Sequence, residues 1–147
     1  MSDRDRDDAG RARNARPRDA AGRPLPHDTP PELVAEREPE DVVRTPAESL
    51  ARAQHLLDAG TPFPAHDVFE AAWKTGPDDE RDLWQGLAQL CVGLTHLQRD
   101  NPTGAASLLD HGVERLRRCR STGQEQHGVA VTDLVDWATG AAHDIRI

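Results

Sequence analysis

From Thr45 onward the apolar residues recur at helical spacing, in segments separated by Gly and Pro. Thr45-Pro46-Ala47-Glu48 reads as a capping box with proline at the first helical position. It opens a helix that carries Leu50, Ala53 and Leu57 on one stripe and stops at Gly60. Thr61-Pro62-Phe63-Pro64 reads as a turn, followed by a second helix from near Pro64 to just before Gly76-Pro77. A third helix is predicted from about Asp78 to Arg99, with Asp78, Asp79 and Glu80 at the positive end of its dipole. Leu83, Leu87, Leu90, Leu94 and Leu97 form its packing seam, and Gly86 and Gly93 add a strip that admits a close neighbour. No charged residue occurs from Leu83 to Gln98, which marks this helix as the central one. Asn101-Pro102 starts a fourth helix with Ala105, Leu109, Gly112, Val113 and Leu116 inward and a basic end. A last helix runs from about Thr132 to Ala142, with Leu134, Val135, Trp137 and Ala138 as its apolar residues. No alternating strand pattern occurs. The expected fold is all-α, a small bundle of four to five helices over residues 45–147.

Residues 1–44 read as a disordered tail and an acidic linker. The first thirty residues hold only Met1 and Leu25 as large apolar side chains, too little to offset the entropy of ordering them. A short helix over Glu32–Glu38 is the one element expected before Thr45. The chain carries a formal net charge of -8, which speaks against binding a nucleic-acid backbone. Cys91 and Cys119 lie far apart and outside any C-x-x-C pattern, as in a protein of a reducing compartment. No secretory leader is visible and no segment is apolar enough to span a bilayer, so a cytoplasmic, membrane-free protein is expected. Lys74 is the only lysine; all other cationic side chains apart from histidine are arginine.

Chemistry enters on the second helix. At about 100° per residue, His66, Glu70 and Trp73 fall within roughly a 60° arc at the border of its apolar face. Asp67 and Lys74 are expected to point into water. A His and a Glu one turn apart can share one metal ion or one proton. On the third helix Gln85, Gln89 and His96 form a polar stripe, and buried amides must find partners. If that stripe faces the second helix, His66, Glu70, Gln89 and His96 meet in one pocket, with Gln85 beside them and Trp73 as a wall.

These residues also carry a resemblance. His66-x-x-x-Glu70-x-x-Trp73, then Gln85-Gly86-Leu87 and Gln89, then His96, Asn101 and Gly104-Ala105, is similar to the bacterial and archaeal domain-of-unknown-function family 309. The similarity spans roughly residues 48–140. It implies a small helical bundle and a metal-binding or catalytic role for the motif, and no particular substrate. Three positions depart from the family's usual pattern. Asp67 stands where Glu is common, Phe69 where a bulkier or aliphatic residue is common, and Arg99-Asp100-Asn101 replaces Arg-Gly-Asn.

Two readings of function follow. In the first, His66, Glu70 and His96 bind a divalent metal such as zinc, Glu70 is a ligand or general base, and the protein is hydrolase-like. In the second, the same residues form a structural polar network in a non-catalytic interaction module, in one version a homodimer. No Ser or Cys has the setting of a nucleophile. Cys91 reads as core, Cys119 as a bystander, and Trp84 and Trp137 as core anchors.

Overall fold

The computed structural model describes residues 5–6, 12–13, 42–121 and 126–146. The expected disordered tail and the helix over Glu32–Glu38 therefore lie outside the described residues, apart from two short strands. These are β1 (Asp5–Arg6) and β2 (Ala12–Arg13), paired antiparallel with Asp5 opposite Arg13 and Arg6 opposite Ala12. The rest is helical: α1 (Pro46–Asp58), α2 (Pro62–Thr75), α3 (Arg81–Gln98), α4 (Pro102–Ser121) and α5 (Val131–Arg146). Single 3-10 turns at Asp78–Glu80 and Gln126–Gly128 precede α3 and α5. Among the described residues no helix is long and apolar enough to cross a membrane.

The start of α1 is a complete capping box. The Glu48 amide donates to Thr45 Oγ1 at 3.1 Å, and the Thr45 amide donates to Glu48 Oε1 at 2.9 Å. Those two contacts with Thr45, backbone first, hold the Glu48 carboxyl below its ordinary range. Helix α2 begins at Pro62, one turn's fraction earlier than the proline-rich turn suggests. Prolines at the first and third helical positions forfeit only amides that have no intrahelical acceptor anyway. Gly60, with φ +78°, makes the turn between α1 and α2, and Gln98 Nε2 donates to its carbonyl at 2.7 Å, pinning that turn to the end of α3.

Helix α3 packs between α2 and α4, with α1 against α2 and α5 against α4. The expected glycine strip is the α3–α4 crossing. A Cβ on Gly86 would lie 2.9 Å from Leu116 Cδ2, one on Gly93 3.0 Å from Leu109 Cδ2, and one on Gly112 2.7 Å from Leu90 Cδ2. Leucines of each helix thus enter glycine gaps of the other, and Leu83, Leu109 and Leu116 are fully buried. The seam fades toward the C-terminal end of α3, where Leu97 is exposed. Asp100, at the turn into α4, takes φ +61°, so aspartate here adopts the left-handed conformation that glycine adopts most easily.

Trp84 is an anchor, buried on α3 against Phe69 of α2 and His127. Trp137 is not: it is 47% exposed on α5, beside Val129 and Leu134 at the edge of an apolar groove that α1 and α3 also line. Helix α5 buries Val131, Val135, Ala138 and Ala142, at spacings of four, three and four. Trp137 falls just outside that stripe.

Both cysteines are free and buried. Burial pushes the Cys91 thiol up to about 12, and burial together with the Asp82 carboxylate raises Cys119. Neither should react with a thiol reagent at pH 8 in the folded protein, and both should do so in denaturant. Rapid labelling of one thiol in the native state would refute this placement.

Candidate functional site

The site is built on one side of α2. His66, Asp67 and Glu70 offer ligand atoms that all lie within 4.8 Å of one another, the one such group found among the described residues. His66 Nε2 stands 3.0 Å from Glu70 Oε1. His66 Nδ1 stands 3.2 Å from the Phe63 carbonyl oxygen and 3.6 Å from Asp67 Oδ1. Lys74 Nζ is 3.9 Å from Glu70 Oε2, the next step of the same i, i+4 ladder. His66 is mostly buried, whereas Glu70 keeps 39% of its side chain exposed, so the site opens to water at the carboxylate.

The two ring nitrogens of His66 face different partners. Both partners can only accept: in the Nδ1–H tautomer Nδ1 donates to Phe63, with the Asp67 carboxylate close by, and in the Nε2–H tautomer Nε2 donates to Glu70. In the Nδ1–H tautomer a lone pair on Nε2 is directed at the Glu70 carboxylate 3.0 Å away. Two lone pairs do not face each other at that distance without a cation between them. Either a proton or a metal ion fills the position. Ligands at about 2.0–2.2 Å from one metal stand roughly 3 Å apart when they subtend a right angle, so the observed separation suits both.

Asp67 is a correction to the sequence reading. It was expected to point into water and is instead 4% exposed. The helical wheel puts it about 100° from His66, off the motif stripe. A signal for its role was present, since an acidic residue directly after the motif histidine is usual in the family that the motif resembles.

The third helix meets this side of α2 at two aromatic contacts. The Arg81 guanidinium lies 5.8 Å from the Trp73 ring centre, and that of Arg99 lies 5.9 Å from Phe63. The helices therefore run antiparallel, with His66 and Glu70 between these contacts. Arg81, Gln85 and Val92 share one stripe of α3, continued by Arg99 at its C-terminal cap. Gln85 Oε1 and Gln89 Oε1 are buried and have no hydrogen-bond partner among the described residues. His96 leans the other way. Its Nδ1 is 3.1 Å from Asn101 Nδ2, while Asn101 Oδ1 accepts from the Gly104 amide in the first turn of α4. His96 is not part of the His66 group, and its contact is with Asn101, directly before α4.

The comparisons with known proteins bear on the same stretch. Residues 50–108 match the family model described as a domain of unknown function, DUF309. That stretch takes in most of α1, all of α2 and α3, and the first turns of α4, so it holds every motif residue. An uncharacterized protein of Bacillus subtilis (strain 168), YpuF, is 36% identical over 56 residues. The match covers 37% of this chain and 32% of that relative, so it spans about a third of YpuF. No solved structure matches.

Proposed function

We propose that His66 Nε2 and Glu70 hold a divalent metal ion such as zinc, and that the site is hydrolytic. The observation that carries this reading is the pair of acceptors facing His66. With Nδ1 donating to Phe63, Nε2 aims its lone pair at a carboxylate oxygen 3.0 Å away. Two ligands from the protein, one fewer than the three usual in catalytic zinc sites, leave further positions to water and substrate. A bound metal would supply Lewis acidity and an activated water. The protein's own contribution is orientation. The Phe63 carbonyl orients the ring, with the Asp67 carboxylate 3.6 Å from Nδ1, which is how outer carboxylates and carbonyls support a metal-bound histidine. Lys74 steadies Glu70 Oε2, leaving Oε1 toward His66. The half-exposed edge at Glu70 gives water a way in.

One observation favours the alternative, a structural pair. An imidazolium would satisfy Phe63 and Glu70 at once, with both ring nitrogens donating. Metal content separates the two. Untagged protein purified without chelator is expected to carry near-stoichiometric metal, absent from His66→Ala and Glu70→Ala at unchanged helicity. Metal-free wild-type protein, with a large loss of thermal stability in both variants, would leave the pair structural.

A further inference from the structure

The apolar groove at Trp137 is a second site, since neither His66 nor Glu70 lines it. It holds about 580 Å³ between α1, α3 and the start of α5. Its floor belongs to the core: Phe69, Leu87, Leu90 and Cys91 are all buried. Its rim is surface, with the Trp137 indole half exposed there. A hollow of this volume that runs from solvent down to core side chains has the dimensions of a small-molecule pocket. It follows α1 from Leu50 to Leu57 and α3 from Leu87 to Leu94, two helical turns or roughly 10 Å on each.

The lining narrows the occupant. Among its described residues none is charged, and Gln54 carries the one polar side chain apart from the Trp137 indole N–H and the Cys91 thiol. Water finds few partners in such a space, and a hydrocarbon body displaces it favourably. The charges beside the groove are carboxylates. Asp58 is tied to it by Gln54, whose Nε2 donates to Asp58 Oδ1 at 2.8 Å. Asp133 precedes the lining residue Leu134 and stands one turn before Trp137. Both carboxylates are exposed. Arg52 and His55 of α1, Arg81 and His96 of α3 and His143 of α5 stand roughly 120–180° round their helices from Leu50, Leu87 and Trp137. The groove is thus apolar within and negative at its edge, and the indole adds a π face that favours a cation. We propose that it binds a small amphiphilic cation, with a hydrocarbon body against Leu87, Leu90 and Leu94 and an ammonium group at the acidic rim beside Trp137. This inference is independent of the metal reading, because it uses none of that site's residues.

The test titrates n-octylammonium, below its micelle concentration, into the isotope-labelled full chain at pH 7 and follows it by NMR. Saturable shifts are expected at the Trp137 indole and at the methyl groups of Leu94 and Leu134. Octanol, with the same chain and no charge, should bind about threefold more weakly, and octanoate about tenfold, as attraction at the rim turns to repulsion. Asp133→Asn should weaken octylammonium about threefold and leave octanol unchanged. Leu50→Trp, which fills the groove, should abolish binding of both. Absence of saturable shifts with octylammonium overturns the proposal, as does octanoate binding equally well or Asp133→Asn weakening octanol as much as octylammonium. Self-association that covers Trp137 and excludes octylammonium would give the groove to a second copy of the chain, and would overturn it too.

Discussion

Trp84→Ala is expected to lower the stability of the domain by about 3–5 kcal/mol, as truncation of a large buried aromatic does. The argument rests on how many elements meet at this side chain. Its ring is 2% exposed and stacks on Phe69 of α2 at 6.1 Å, and on His127 at 5.9 Å from the opposite end of the chain. Its Nε1 donates to Glu80 Oε1 at 3.1 Å, and the same oxygen lies 2.9 Å from His127 Nε2. One carboxylate thus ties the indole to the turn that leads into α5. His127 sits there with φ +54°, a backbone state that a side chain other than glycine takes only when its surroundings insist. Trp84→Ala removes the ring that His127 stacks on and leaves Glu80 with one donor fewer, so the turn should loosen together with the core. Trp84→Phe keeps most of the apolar surface and loses the indole donor. It should cost about 1–2 kcal/mol, chiefly the hydrogen bond. Urea denaturation of the three proteins, followed by far-ultraviolet circular dichroism, measures both differences. A Trp84→Ala loss below that of Trp84→Phe would show that the indole is not the joint described.

Much of this was legible in the residues. The period of the leucines and the caps at Thr45, Gly60 and Asn101 place the helices, because local patterning and packing agree there. The uncharged run from Leu83 to Gln98 marks α3 as the helix packed between α2 and α4, and Gly86 and Gly93 mark where α4 crosses closely. Trp137 was misread because aromatic character alone does not set a rotational position on the wheel. The valines and alanines of α5 do, and they turn the core stripe past it. The site was half legible for a similar reason. A wheel fixes which residues share a side of one helix, so His66, Glu70 and Trp73 could be grouped. It does not fix how two helices rotate against each other. His96 could therefore be placed on the polar stripe of α3 but not assigned to a neighbour, and its contact is with Asn101. Asp67 was missed because burial at the edge of a helix depends on what covers that edge, which periodicity does not report.

Asp67 also supports the sharpest quantitative expectation for the site. If it is an outer carboxylate that holds His66 in place, Asp67→Asn should lower metal affinity by about 10–100-fold, the range found when such supporting groups are removed. The site itself should survive, because Nε2 and Glu70 remain, and the Phe63 carbonyl still fixes Nδ1. Glu70→Gln, in contrast, removes a charged ligand and should abolish measurable binding. The order of the two variants carries the argument. Equal loss in both would make Asp67 a direct ligand, with the imidazole turned away from its present arrangement, in which Nδ1 and Nε2 face different carboxylates. Metal affinity unchanged in Asp67→Asn, with the folded state destabilised, would make the buried carboxylate a packing residue of α2. Calorimetric titration of zinc into the chelator-stripped proteins, run beside thermal melts of the same samples, resolves these cases. A drop in affinity at constant melting temperature is the signature of orientation, since an asparagine of the same shape keeps the packing and loses the charge beside the imidazole.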